Sequence, residues 1–109
     1  MKSALTIISI SAILSWTTPA FAAGDAAAGK QTFSTKCAGC HGVAGEGKDT
    51  LAKMLKVEMR PLGSKEVQSQ SDADLKKVIL EGRGKMKAVA GIDAKTGDDV
   101  VTYLRTLKQ

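Results

Sequence analysis

Both cysteines and the single histidine of this 109-residue chain fall within one pentapeptide, Cys37-Ala38-Gly39-Cys40-His41. With no further cysteine or histidine, the chain cannot build a disulfide framework or a four-ligand zinc site of Cys and His type. A thioredoxin-like redox pair would call for a strand–helix–strand setting, yet no stretch alternates with the two-residue period of a strand. A simple disulfide between Cys37 and Cys40 would leave His41 unexplained.

The rest of the chain reads as helix separated by glycine-rich loops, so an all-α protein is expected. Asp25 is a natural N-cap for a first helix running to about Cys40. It places Gly29, Phe33, Cys37 and Cys40 on one face. A short helix is expected from Thr50 to Val57, with Leu51, Met54 and Leu55 as its packing face. Met59-Arg60-Pro61-Leu62-Gly63 is a break, because proline disfavours helix in the residue before it. Ser71 caps a third helix in a capping-box-like Ser71-Asp72-Ala73-Asp74. Leu75, Val78 and Ile79 form its apolar face, and Gly82 ends it. A loop from Gly82 to Gly91 follows. The last helix starts near Asp93 or Thr96, reaches about Lys108, and buries Val100, Tyr103, Leu104 and Leu107.

Residues 1–22 read as a secretory signal that is removed. Lys2 is its positive start, Ala4 to Trp16 an uncharged and mostly apolar run, Pro19 a breaker, and Ala20-Phe21-Ala22 a small-residue cleavage site. The apolar run is short for a membrane span, so no stable membrane insertion is expected after cleavage. The expected domain is 23–109, in an exported, periplasmic protein. Loss of the leader removes Trp16 and Phe21 and leaves Phe33 and Tyr103 as the only aromatics. A domain of this size with so little aromatic bulk has a thin core and needs a staple.

The pentapeptide supplies that staple. Cys-x-x-Cys-His is the attachment signature of a covalent c-type haem. Positions i, i+3 and i+4 share one helical face, so Cys37 and Cys40 can each add to a vinyl group while His41 reaches the iron. A buried macrocycle then provides the apolar mass that aromatics do not. Ala38 and Gly39 are small, which lets the macrocycle approach the backbone.

On these residues the chain resembles the class I monohaem cytochromes c of the small, soluble bacterial type. Cys37, Cys40 and His41 match the family's two attachment cysteines and proximal histidine. Gly29 and Phe33 match the glycine and aromatic that let the first helix cross the last. Val100 and Tyr103 match their partners in the closing helix. The resemblance implies a small cytochrome c fold, about four helices around one covalent haem c. It also implies that Met86, in the loop before the last helix, is the distal iron ligand. Met59 is the next candidate, and Met54 is expected to pack. Two departures stand out. Lys87 occupies the place after the methionine where the family usually has proline. The proline shortly after the haem histidine, whose carbonyl holds the imidazole N–H, is also missing. Pro61 does that work after a longer loop, or another carbonyl does.

His/Met ligation raises the reduction potential and fills both axial positions. The expected function is therefore a one-electron carrier rather than an enzyme, and no catalytic pair accompanies the motif. Two alternatives stay open. One is a haem subunit of a larger oxidoreductase; the other is a ligand-binding or peroxidatic haem protein, if the methionine is labile. The net charge is +5. Lys36, Lys48, Lys85 and Lys87 lie beside the motif or the methionine loop, placed to meet acidic patches on redox partners. Arg60 and Arg83 are candidates to pair the haem carboxylates. Nucleic-acid binding is not expected, for want of a basic run with interleaved aromatics. A monomer is expected.

Overall fold

The computed structural model of the protein describes residues 24–109. The expected leader, residues 1–22, lies outside them. The described chain forms α1 (Ala26–Lys36), α2 (Ala38–His41), α3 (Asp49–Leu55), α4 (Lys65–Gln68), α5 (Asp72–Glu81), the strands β1 (Gly82–Arg83) and β2 (Met86–Lys87), and α6 (Ala94–Thr106). No described helix is long and apolar enough to cross a membrane.

Where capping chemistry is explicit, the helices start as the sequence dictates. The Asp25 carboxylate accepts from the amides of Ala27 and Ala28. Ser71 Oγ accepts from the Asp74 amide, and Asp93 from the Thr96 amide at 2.8 Å. Each satisfies N–H groups that a helix start otherwise leaves unpaired. Gly82, at φ +82°, ends α5 in a conformation that side chains disfavour.

The packing of α1 on α6 organises the molecule. At Gly29 a Cβ would overlap the backbone carbonyl of Asp99, so only glycine allows this approach. One turn on, Phe33 is 1% exposed, and its ring centroid lies 5.3 Å from that of Tyr103, tilted by 57°. That is a favourable aromatic arrangement. Asp99 Oδ1 accepts from the Asp25 amide at 2.8 Å and pairs with Lys95, so a buried carboxylate is satisfied from both helices. α5 adds Leu75 and Ile79 to the same core, beside Val100, Val101 and Leu104.

The fold is all-α in substance but more segmented than the sequence suggests. The helix expected from Asp25 to Cys40 is two helices. At Cys37 the backbone moves to φ −118° and ψ −36°, and α2 restarts as a single turn. The Cys37 amide still donates to Phe33 O, while Cys37 O accepts from the His41 amide, both at 2.9 Å. The apolar period runs through the break and hides it. α3 stops at Leu55, where Lys56 takes a left-handed conformation at φ 54°. Met54, expected to pack, is 74% exposed. Leu51 and Leu55 form the inward edge of this short helix, and Met54 lies outside it. α4 and the β1–β2 hairpin were not expected, each being too short to carry a periodic signal.

Candidate functional site

The pentapeptide wraps the α1–α2 junction. Cys37 is the N-cap residue of α2 and His41 its last residue. Cys37 is buried, Cys40 is exposed, and both are free thiols. Burial pushes the Cys37 thiol pKa up, the neighbouring Cys40 adds to this, and Lys36 opposes it. Burial lowers the His41 pKa below its ordinary value. The imidazole is therefore neutral at physiological pH, the form in which histidine ligates metal.

Beyond His41 the chain loops out through α3 and returns. The Gly47 amide donates to His41 O at 2.7 Å, and the Leu62 amide donates to Gly45 O at 2.8 Å. This brings the segment of Pro61 back beside the turn after His41. The expected second contact of the ring does not form, however. His41 Nδ1 is buried and has no hydrogen-bond partner among the described residues, so neither Pro61 nor another described carbonyl accepts from it.

Cys37, Cys40 and His41 line a cavity of about 850 Å³. Cofactor sites fall within roughly 300–1,000 Å³. Leu51 and Leu55 of α3, Leu62 and Val67, and Leu75 and Val78 of α5 supply apolar surface. A molecule with only two aromatics in its described residues thus encloses a large greasy space carrying two thiols and a half-buried imidazole. Those residues fit a flat apolar group fastened at two sulfurs and ligated by one nitrogen. Ala38 and Gly39 do not line the cavity, and a Cβ at Gly39 would meet open space.

Both Met59 and Met86 line the cavity, whereas Met54 does not. A second, deeper cavity of about 70 Å³ distinguishes the two. Its lining includes Cys37, His41 and Met86 with the core residues Phe33 and Val100, and it does not include Met59. Met86 owes its place to the hairpin. β1 and β2 pair antiparallel, Gly82 with Lys87 and Arg83 with Met86. Gly84 opens the two-residue turn at φ +56°, the position where hairpin turns of this kind take glycine. Met86 is thereby hydrogen-bonded into a ladder, which gives its loop definition without a following proline.

Exposed cations gather on the cavity lining: Lys36, Arg60, Arg83, Lys85 and Lys87, against one acid, Glu58, which Arg60 pairs at 3.2 Å. Lys48, grouped with them on sequence position, does not line the cavity. Arg83 donates to Gln70 Oε1 at 3.2 Å. Gln70 sits at the end of a network that sequence reading missed. Arg105 of α6 donates to the carbonyls of Gln68 and Gln70 and to Asp72, and the Gln68 amide donates to Leu62 O and Leu104 O. This ties the wall segment from Leu62 to Gln70 onto α6. Isolated glutamines and one arginine carry no pattern that could have announced it.

Residues 24–104 match the family described as "Cytochrome C oxidase, cbb3-type, subunit III". The chain is 34% identical over 93 residues to cytochrome c-554(547) of Halothiobacillus neapolitanus, covering 79% of this chain and 100% of that protein. Among solved structures, the KustC0563 c-type cytochrome superposes with a TM-score of 0.63 at 26% identity, over 74% of this chain and 98% of that one. Cytochrome cL of Methylophaga aminisulfidivorans gives 0.58 at 25% identity, over 75% of this chain and 52% of that one. With this motif, this cavity and these relatives, the chain belongs to the cytochrome c family, electron carriers that hold haem c covalently.

Proposed function

We propose that the chain is an exported one-electron shuttle in which Cys37 and Cys40 hold the haem, His41 is the proximal iron ligand and Met86 the distal one. The observation that carries this reading is shared lining. Both thiols, His41 and Met86 border the large cavity, and Cys37, His41 and Met86 also border the small one beneath it. When bound, haem c supplies a one-electron ferric/ferrous couple. The protein's residues do the rest. Leu51, Leu55, Leu62 and Leu75 keep water from the site, and the Phe33–Tyr103 seam fixes α1 while the charge state changes. With His41 and Met86 both held toward the iron, these residues would leave it no open position for oxygen or peroxide, which would suit a carrier rather than an enzyme. Arg60 and Arg83 supply cationic partners for the haem carboxylates.

Lys36, Lys85 and Lys87 form the face presented to acidic patches on redox partners, with the signal of residues 1–22 removed and residues 23–109 working as a monomer in the periplasm. The optical spectrum of the purified oxidised protein tests the ligand set. A weak far-red Met–iron charge-transfer band, with no carbon monoxide binding after reduction, is expected. A missing band with ready carbon monoxide binding would point to the ligand-binding alternative. The family description names an oxidase subunit, which favours a second reading, a haem subunit fixed in a larger oxidoreductase. Gel filtration of a native extract separates the two: elution near the chain's own mass supports the shuttle.

A further inference from the structure

The loop from Gly84 to Gly91 carries Met86 across the cavity without the proline that usually stiffens it. Its first part is held by the β1–β2 ladder. Its second part, Ala88 to Gly91, has no regular structure, and two hydrogen bonds tie it to the body of the protein. The Val89 amide donates to Ile79 O of α5 at 3.0 Å. On the opposite side, Lys36 Nζ donates to Ala90 O at 3.1 Å, spanning 54 residues of chain. Lys36 is the last residue of α1 and directly precedes the buried Cys37. Gly91 follows at a backbone φ of +75°, which side chains disfavour, with Nζ at ordinary contact distance, 3.4 Å, from where a Cβ would lie.

We propose that Lys36 is a positioning residue for the distal ligand, a latch that pins the far end of the methionine loop to the haem-attachment helix. The proposal rests on Met86 being that ligand. Loop opening must break the Lys36–Ala90 bond, whose charged donor makes it stronger than a neutral pair. An added ligand can bind only the open population, so its apparent affinity reports that population. The same lysine seen purely as a docking charge would affect partner encounter and leave this affinity untouched.

The test titrates imidazole into ferric holoprotein, followed by the shift of the haem's main absorption band, which every variant has. The variants are Lys36→Met, Lys36→Arg, Met86→Ala and Lys30→Met, an exposed lysine of α1 that makes the same charge change. Lys36→Met is expected to raise imidazole affinity about fivefold, Lys36→Arg to restore most of the wild-type value, and Lys30→Met to match wild type. Equal affinities for Lys36→Met and wild type, or equal gains for Lys36→Met and Lys30→Met, would overturn the latch. If Met86→Ala does not raise the affinity, the ligand assignment falls and the latch falls with it. If Met86→Ala raises it and Lys36→Met does not, the latch alone is wrong.

Discussion

Gly29 of α1 lies flat against the carbonyl of Asp99 in α6, with no space between them for a Cβ. Eight residues later the chain reaches Cys37, so this contact sets where the attachment motif sits relative to the closing helix. Gly29→Val places side-chain atoms inside backbone, and backbone cannot step aside as a flexible side chain can. A loss of at least about 3 kcal/mol is expected, read as a lower denaturant midpoint and a reduced yield of holoprotein. Gly39→Ala is the contrast. Its Cβ meets open space within α2, so it should be neutral or stabilise by up to about 1 kcal/mol.

His41→Ala should abolish holoprotein assembly and leave the chain largely unfolded. The cavity of about 850 Å³ has no organising contact without ligation, and in such proteins ligand binding is folding free energy. Circular dichroism of the purified variant checks this. A haem-free chain with normal helical signal would contradict it.

On the proposed ligand set, Met86→Ala should lower the reduction potential and open the iron to carbon monoxide, because the lost thioether would have favoured the ferrous state and filled the distal position. The fold should survive, since the Gly29–Asp99 and Phe33–Tyr103 contacts are untouched. Met59→Ala should change neither property much. Potentiometric titration of both variants, with carbon monoxide binding, makes the comparison. The reverse pattern would transfer the ligand role to Met59.

Asp99 gives the molecule an acid-sensitive point away from the cavity. The Asp25 amide, then Lys95, hold its carboxyl below the ordinary carboxylate range, against the opposing effect of burial. A depressed folded pKa stabilises above the ordinary value, about 4, and that stabilisation is lost as pH falls through the lower folded value. Asp99→Asn should therefore melt below wild type at pH 7, with the gap narrowing below pH of about 4. Taking the difference cancels Glu46, whose carboxyl backbone amides also hold low, and leaves the weaker repulsion from Asp93 as part of the Asp99 effect. A gap that widened in acid would reverse the sign of the argument.

What could be read from the sequence was what is local. Asp25 and Ser71 cap the helices they were expected to cap, and Asp93 caps the one expected to start near it, because a side-chain oxygen meets an amide two or three residues away. The Gly29–Phe33 stripe and the Val100–Tyr103 stripe were each legible because spacing fixes a helix face, while their pairing was implied by the family resemblance. The break at Cys37 was not, since one residue leaving helical geometry does not disturb the apolar period around it. The hairpin at Met86 was hidden because a two-residue strand has no alternation to show. Met54 misled because three apolar residues in a seven-residue helix exceed what one edge of that helix can bury. The Arg105–Gln68 network depends on tertiary proximity alone.

The first and last helices of the described residues close the structure on each other, and this imposes an order in time. The Asp25–Asp99 bond joins residues 74 apart, so α1 has no partner until nearly the whole polypeptide is present. A chain emerging amino end first presents Cys37 and Cys40 long before α6 arrives to bury Cys37. Until α6 packs, Cys37 is therefore as reachable as Cys40 is in the folded chain.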